Sequence, residues 1–166
     1  MFEVNDHIVY GNHGVCKVVK IGPLSLPMVK SNKKYYTLKP VRKQETAVYA
    51  PVENPKNVIR PVITKEQARE LLDEIPNIEA AWIGNEKERE TQYRAALHSC
   101  DCKKLIRMII TLYQRKQDRI KDGKKVTVID ERYLKQAEEQ FFDEISFVLE
   151  MDRDELYNVV LNKIES

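Results

Sequence analysis

The sequence has few of the residues on which catalytic and metal sites most often depend. It contains three cysteines, three histidines and five glycines in 166 residues. There is no CxxC pair, no glycine pattern of a P-loop or a dinucleotide-binding turn, and no spacing that indicates a nucleophile with its base. One local cluster, HSCDC at 98–102, offers three soft ligands, whereas a structural zinc site takes four. We therefore expect no enzyme, no cofactor and no bound metal.

Long apolar stretches are also missing. No run approaches the roughly 20 apolar residues that cross a bilayer, and the first ten residues, MFEVNDHIVY, lack the basic and then apolar order of a signal peptide. Cys100 and Cys102 are too close in sequence to form an unstrained bridge, so all three cysteines are expected to be reduced thiols. With 42% hydrophobic and 33% charged residues, the chain is expected to be a folded cytoplasmic protein without a membrane partner or a small-molecule substrate.

Charge is unevenly distributed along the chain. Residues 1–63 carry ten basic against four acidic side chains, and residues 103–125 carry nine against two, whereas the whole chain has a net charge of only +2. The remaining residues are therefore acidic. This segregation favours a polyanionic or acidic partner at the basic segments, although a solvated helix face would explain any single charged run.

The pattern before residue 63 is typical of short strands. The runs HIVY, VCKVVKI, KKYYTLKP and TAVYAP are rich in β-branched and aromatic residues and are separated by turn-forming residues. Four or five such strands in about 60 residues suit a small, strongly bent barrel or half-barrel. The segment 51–61 carries three prolines and is expected to end the sheet and connect two domains.

After residue 63 the apolar residues recur with a helical period. Thr64 and Gln67 form a capping box for a first helix that ends near Asp73. Further helices are expected at 81–98 and 101–121, then from a cap at Thr127 or Asp130, and finally from a capping box at 152–155. Paired acids such as those at 138 and 139 are expected on a solvated face. The last hundred residues are therefore predicted to form a helical bundle.

Several of these stretches, in this order, resemble one known family. They are FEVNDHIVYGNHGVCKV, TAVYAPVEN, RETQYRAAL, LIRMIITLYQRKQDR and AEEQFFDEIS, and together they are similar to the CarD family of bacterial transcription regulators. The resemblance implies an α+β protein in two domains. Residues 1–60 would form a Tudor-like (SH3-like) barrel that resembles a domain of the transcription-repair coupling factor, and residues 61–166 an all-α bundle. It also implies binding to the β subunit of RNA polymerase and sequence-tolerant contact with promoter DNA at the upstream edge of the melted bubble, which would stabilise the open complex.

The polymerase-binding residues are expected on the strand TAVYAP. An edge strand offers unpaired amides and carbonyls that a strand of another protein can satisfy. The alternative is an interior or self-protected strand with no partner. The residues predicted to bind polymerase are Thr46, Val48, Tyr49 and Pro51.

The DNA-binding residues are expected on and around the basic helix. Lysine and arginine bind phosphates without reading sequence. The predicted contacts are Trp82, Arg89, Lys103, Lys104, Arg107, Arg115, Arg119, Lys124 and Lys125.

Two interpretations of Trp82, the only tryptophan, stay open. It can project from the start of a helix and wedge into an unstacked base step beside Arg89. It can equally pack in the bundle, since tryptophan is on average largely buried. The alternative function for the whole chain is a protein interaction module that does not touch DNA.

Overall fold

The structure is a computed structural model that describes residues 1–24, 32–42, 46–81 and 84–166. The chain divides into two compact units, residues 1–62 and 63–166. The first unit consists of strands and the second of helices, which confirms the predicted α+β composition.

The first unit is an antiparallel sheet. The described strands are β1 (His7–Tyr10), β2 (Val15–Gly22), β3 (Tyr35–Pro40), β4 (Val48–Pro51) and β5 (Ile59–Pro61). Their order in the sheet is β4-β3-β2-β1-β5, so β4 and β5 are the two edges. Within the described residues these edges do not pair with each other, so the expected barrel or half-barrel is confirmed only in part, as an open five-stranded antiparallel sheet.

One face of the sheet forms the core of this unit. Ile8, Tyr10, Val18 and Leu38 are buried there and pack in one cluster. They alternate with residues of the other face because successive side chains of a strand point in opposite directions. The register between β2 and β3 shifts after Val18, and this bulge leaves Val19 exposed.

The segment 51–61 was predicted to end the sheet, and this prediction is wrong in part. Its last three residues form β5, which pairs with β1. A run bounded by prolines does not look like a strand, but Pro61 lies on an edge strand, where a missing N–H is tolerated.

The second unit contains five α-helices in its described residues. They are α1 (Lys65–Glu74), α2 (Glu86–Ser99), α3 (Cys102–Lys121), α4 (Val128–Leu149) and α5 (Arg153–Glu165). Thr64 forms the predicted capping box with Gln67. Thr127 rather than Asp130 caps α4. Asp152 caps α5 by accepting from the amides of Asp154 and Glu155, so only this half of the capping box predicted at 152–155 is confirmed.

The predicted start of the second helix at Ala81 is wrong by five residues. The Asn85 side chain accepts a hydrogen bond from the Glu88 amide at 2.9 Å, so α2 begins at Glu86. Because Asn85 has an extended backbone and caps the helix, the helix cannot include the apolar residues that precede it. Trp82, which was expected in the first turn of this helix, lies outside the described residues.

The predicted apolar stripe of α3 forms much of the core of the helical unit. Leu105, Met108, Ile109 and Leu112 are all buried, and α3 packs against α4. Within the described ranges no helix combines the length and the apolar content that a membrane span requires.

The prediction that Glu138 and Glu139 lie on a solvated face is correct for one of the two residues. Glu139 is exposed as expected, but Glu138 is half-buried. Burial raises the pKa of the Glu138 carboxyl, and the nearby positive charges of Lys116 and Arg153 partly oppose that rise. Glu138 therefore belongs to the packed side of α4.

A buried carboxylate joins three parts of the helical unit. Glu144 on α4 is 3% exposed. One of its oxygens accepts a hydrogen bond from the Ile63 amide at 2.9 Å, and the other accepts one from the Cys102 thiol at 3.1 Å. Glu144 thus ties Ile63, which precedes the N-cap of α1, and Cys102, the first residue of α3, to α4.

Replacement of Glu144 by glutamine is expected to lower the free energy of unfolding by about 1 to 2 kcal/mol. The amide has nearly the same volume, but its NH2 group cannot accept, so one of the two donors loses its acceptor. Urea unfolding followed by far-UV circular dichroism measures the change. Glu139→Gln, an exposed site on the same helix, is the matched control and should change stability little. Equal stability of Glu144→Gln and wild type would show that these bonds do not stabilise the unit.

Candidate functional site

The strand β4 is an edge strand, as the polymerase-binding prediction requires. Among the described strands it pairs with β3 alone, with Tyr49 opposite Thr37 and Pro51 opposite Tyr35. No other described strand pairs with the opposite side of β4, and we call it the open side of β4. Among the described strands β4 is therefore an edge and not an interior strand, and the alternative of a self-protected edge stays open.

The hydrogen bonding shows which residues of β4 face this open side. The Val52 amide donates to the carbonyl of Lys34 at 3.0 Å, which makes these two residues a hydrogen-bonded pair. In an antiparallel ladder hydrogen-bonded and non-hydrogen-bonded pairs alternate. The main-chain groups of Val48 and Ala50 therefore point to β3, whereas those of Tyr49 and Pro51 point away from it.

The outward main-chain groups of β4 are few and well defined. Tyr49 presents both an N–H and a C=O, and Pro51 presents a C=O only. A docking strand can therefore exchange two hydrogen bonds with Tyr49 and donate a third to Pro51.

The side chains of β4 alternate in the same way. Val48 packs against the core cluster and Ala50 is buried, whereas the Tyr49 side chain is 42% exposed. Thr46, which precedes the strand, is exposed, and Pro51 is half-buried. Tyr49 thus combines an outward backbone with an exposed ring, and it is the residue of β4 best placed for contact.

Three of the predicted phosphate-binding residues lie in the first two turns of α3. Lys103, Lys104 and Arg107 are all exposed. Lys103 forms an ion pair with Glu74 at 3.7 Å, but both side chains are more than half exposed, so the pair contributes little stability and is easily exchanged. These three cations are accessible to phosphates.

The segment that leads to Trp82 is bound to the same helix. Arg107 Nε donates to the carbonyl of Glu79 at 3.3 Å, and the Ala81 amide donates to Thr111 Oγ1 at 2.9 Å. Thr111 in turn donates to the Arg107 carbonyl at 2.7 Å. The residue directly before Trp82 is therefore held on the basic helix, while neither interpretation of the tryptophan side chain is tested.

Arg115 has an internal partner that the sequence analysis did not find. Its Nε lies 2.6 Å from Asp130 Oδ2, and the side chains of Arg115 and Asp130 are 29% and 7% exposed. A carboxylate this deeply buried needs the guanidinium beside it. Arg115 therefore has a structural role between α3 and α4, which makes it a poor candidate for phosphate contact.

Arg89 lies beside the same ion pair. Its Nε and the hydroxyl of Tyr93, one helical turn later, are buried without a hydrogen-bond partner among the described residues. Burial raises the pKa of Tyr93, as does the negative charge of Asp130, and the positive charges of Arg89 and Arg115 oppose that rise. Arg89 is thus half-buried in a polar cluster of α2, α3 and α4.

The last three predicted residues lie where α3 turns into α4. Arg119 Nε donates to the Lys125 carbonyl at 2.8 Å, so its guanidinium holds the turn. Lys124 and Lys125 are exposed. Arg107 and Arg119 are twelve residues apart on α3, which corresponds to about 18 Å along the helix axis. The predicted set therefore forms two basic groups rather than one patch.

Comparison with known families assigns the first unit. Residues 2–63 match the CarD-like/TRCF RID domain, and this range coincides with the sheet unit to within one residue at each end. The first unit is a CarD-like domain. None of the curated proteins to which the chain was compared matches it.

The match bears on the partner of the first unit as a whole. A domain of this type is a protein interaction domain, and its presence supports interaction with RNA polymerase. The helical unit lies outside the matched range, so its role depends on the geometry of its own residues.

The cysteines of the HSCDC cluster, which spans the end of α2, have structural roles. Cys16, Cys100 and Cys102 are all buried. Cys100 adopts a left-handed conformation that ends α2, and the Cys102 thiol donates to Glu144. In the described ranges no group of three metal-ligating side chains comes together.

A tyrosine that contacts the last helix gives a pH-dependent prediction. Tyr113 on α3 donates to Glu165 of α5 at 2.5 Å, and this hydrogen bond, followed by burial, raises the pKa of Tyr113 to about 12. The stabilisation that this hydrogen bond gives to the folded state is therefore complete below the ordinary tyrosine pKa. It is lost as the pH rises through about 12. The absorbance of tyrosinate should include a group that titrates near pH 12 in wild type and at lower pH in Glu165→Gln. An unchanged titration in Glu165→Gln would contradict this pairing.

Proposed function

We propose that this chain is a bacterial transcription regulator that binds the β subunit of RNA polymerase through its CarD-like domain. In this proposal the helical unit contacts promoter DNA at the upstream edge of the bubble and stabilises the open complex. The observation that carries it is the open side of β4 in a domain that matches the CarD-like/TRCF RID domain. Such a protein acts in the cytoplasm, where the polymerase is.

The polymerase contact is proposed to form by strand addition. A strand of the β subunit pairs with the outward groups of Tyr49 and Pro51, so main-chain bonds supply affinity and the Tyr49 ring supplies side-chain contact. Thr46 lies next to this strand and extends the contact, while Val48 supports it from the core. This mode needs no ion pair.

The DNA contact is proposed to use the exposed cations of the two basic groups. Arg115 and Arg119 hold internal structure, and Arg89 is half-buried. The five remaining side chains are exposed and suit phosphate oxygens. They are Lys103, Lys104, Arg107, Lys124 and Lys125.

A salt titration is expected to test this DNA contact. Each phosphate contact releases condensed counterions, so the logarithm of the binding constant falls with the logarithm of the salt concentration. Replacement of Lys124 and Lys125 by glutamine should reduce the steepness of that fall by about 0.9 for each phosphate that is no longer neutralised. Fluorescence anisotropy of a labelled promoter fragment measures it.

Lys65→Gln is the matched control for this titration. Lys65 is 56% exposed and lies 3.7 Å from Glu150, which follows the last residue of α4. The 22 residues of α4 separate this site from Lys124 and Lys125 by about 33 Å. The slope of Lys65→Gln should equal that of wild type. If the wild-type protein shows no salt-dependent binding, the chain is a protein interaction module that does not touch DNA.

A further inference from the structure

The strands of the first unit carry positive charge and no negative charge. None of the five described strands contains an acidic residue, whereas β2 carries Lys17 and Lys20 and β3 carries Lys39. These three lysines are exposed, and the ion pairs between described residues all lie in the helical unit. Lys17 lies directly opposite Lys39, and like charges in that position destabilise a sheet. An anion bound between the two lysines relieves this repulsion.

The lysines share one face of the sheet with two tyrosines. In β3 the side chains of Tyr36 and Leu38 belong to the core cluster, so the residues that alternate with them lie on the opposite face. The register places residues of β2 and β4 beside them, and the bulge after Val18 brings two lysines three positions apart in β2 onto this face. We call this surface the lysine–tyrosine face, and its residues are Lys17, Lys20, Tyr35, Thr37, Lys39 and Tyr49.

Both tyrosine rings are accessible from this face. The Tyr49 side chain is 42% exposed, and Tyr35 is half-buried. Tyr49 lies opposite Thr37 and Tyr35 lies opposite Pro51, so the two tyrosines are diagonal neighbours about 7 to 8 Å apart. On its other side Tyr35 lies opposite Gly22, and a Cβ built at Gly22 would meet nothing within 4 Å. A flat group can therefore lie against either ring.

We propose that the lysine–tyrosine face binds single-stranded RNA, with bases stacked on the two tyrosine rings and phosphates held by the three lysines. A sheet face with exposed aromatic residues is a common platform for unpaired bases, and lysines beside it hold the backbone without reading sequence. This ligand goes beyond the polymerase and promoter contacts proposed above and does not depend on them. Strand addition at β4 uses the main chain of Tyr49 and leaves its ring on this face.

Single-stranded RNA fits this face better than an acidic peptide, duplex DNA or a single DNA strand does. An acidic peptide would pair with the lysines alone, and exposed ion pairs contribute little. The bases of a duplex are stacked on one another, so their faces do not reach the tyrosine rings. Thr37 lies between Lys20 and Tyr49 in the sheet, which places its hydroxyl next to the sugar of a nucleotide that these two residues hold. The ribose 2′-hydroxyl offers it a hydrogen-bond partner that deoxyribose lacks.

Fluorescence anisotropy of the full chain with a labelled oligouridine of about eight nucleotides tests the site. Wild type is expected to bind this RNA about fivefold more tightly than the oligodeoxyuridine of the same length, as one additional hydrogen bond predicts. Tyr49→Ala should weaken RNA binding by about tenfold because it removes a stacking platform, whereas Tyr49→Phe should keep it. Lys17→Gln with Lys20→Gln should reduce the steepness of the salt dependence by about 0.7 for each phosphate that is no longer neutralised.

Tyr157→Ala is the matched control, since the side chain of Tyr157 is also 42% exposed and lies in the helical unit. It should bind oligouridine as wild type does. The lysine variant changes exposed positions only, so it tests the site even if Tyr49→Ala disturbs the sheet.

Three results would overturn the RNA site and leave the polymerase and promoter contacts standing. The first is no binding of oligouridine by wild type. The second is equal or tighter binding of the oligodeoxyuridine, which would make single-stranded DNA the ligand. The third is wild-type affinity in both Tyr49→Ala and the lysine variant, and loss of binding in Lys124→Gln with Lys125→Gln would then place the RNA on the helical unit.

Discussion

Replacement of Tyr49 by proline is expected to weaken binding to the polymerase β subunit by about tenfold or more. The Tyr49 N–H points away from β3, so proline removes a hydrogen bond to the docked strand and places its ring where that strand approaches. One hydrogen bond contributes about 0.5 to 1.5 kcal/mol, and the steric clash adds to the loss. Biolayer interferometry with an isolated β fragment and with whole polymerase measures the effect.

Two further variants separate the causes of this loss. Tyr49→Ala keeps the N–H and removes the ring, so it should lose less affinity than Tyr49→Pro. Ile59→Pro makes the same backbone change on β5, where the Gly11 amide donates to the Val58 carbonyl at 2.8 Å and the alternating ladder turns Ile59 outward. It should bind polymerase as wild type does. Loss of polymerase binding in Ile59→Pro but not in Tyr49→Pro would show that polymerase binds to β5 and not to β4.

The neighbouring residue Val48 is not an equivalent test. From the sequence alone, proline at Val48 or at Tyr49 would be expected to block docking equally. The alternating ladder shows that the Val48 N–H points to β3, so proline there breaks the sheet itself. A loss of binding in Val48→Pro would therefore report unfolding of the strand.

The sequence predicts most elements here because local signals mark them. Thr64 with Gln67, Asp101 and Thr127 cap their helices as side-chain chemistry requires. The strands β1 to β4 follow from β-branched and aromatic runs between turn residues. The strand β5 was missed because three residues that end in a proline carry no periodic signal, and only pairing with β1 makes them a strand.

The site was predicted less completely because its roles depend on contacts between distant residues. A run of charges cannot show that Arg115 meets Asp130, fifteen residues later, or that the Arg119 guanidinium holds a turn. The open side of β4 could be suspected from TAVYAP, but sheet order alone shows that it is an edge.

Replacement of Arg115 by alanine is expected to lower the free energy of unfolding of the helical unit by about 3 kcal/mol. It leaves the carboxylate of Asp130, 7% exposed, without its guanidinium, and an unpaired buried charge costs about 3 to 5 kcal/mol. Arg115 is partly exposed, so the lower end of that range applies. Urea unfolding followed by far-UV circular dichroism measures the change.

The double variant Arg115→Met with Asp130→Leu is expected to recover much of this loss, because removal of both charges leaves no unpaired group. Lys124→Ala, at an exposed position, is the control and should keep wild-type stability while weakening DNA binding. Arg115 and Lys124 were both predicted to bind DNA because they belong to one run of charges. These measurements are expected to show a structural role for Arg115 and a DNA-binding role for Lys124. If Arg115→Ala keeps wild-type stability but binds DNA more weakly, Arg115 instead contacts a DNA phosphate.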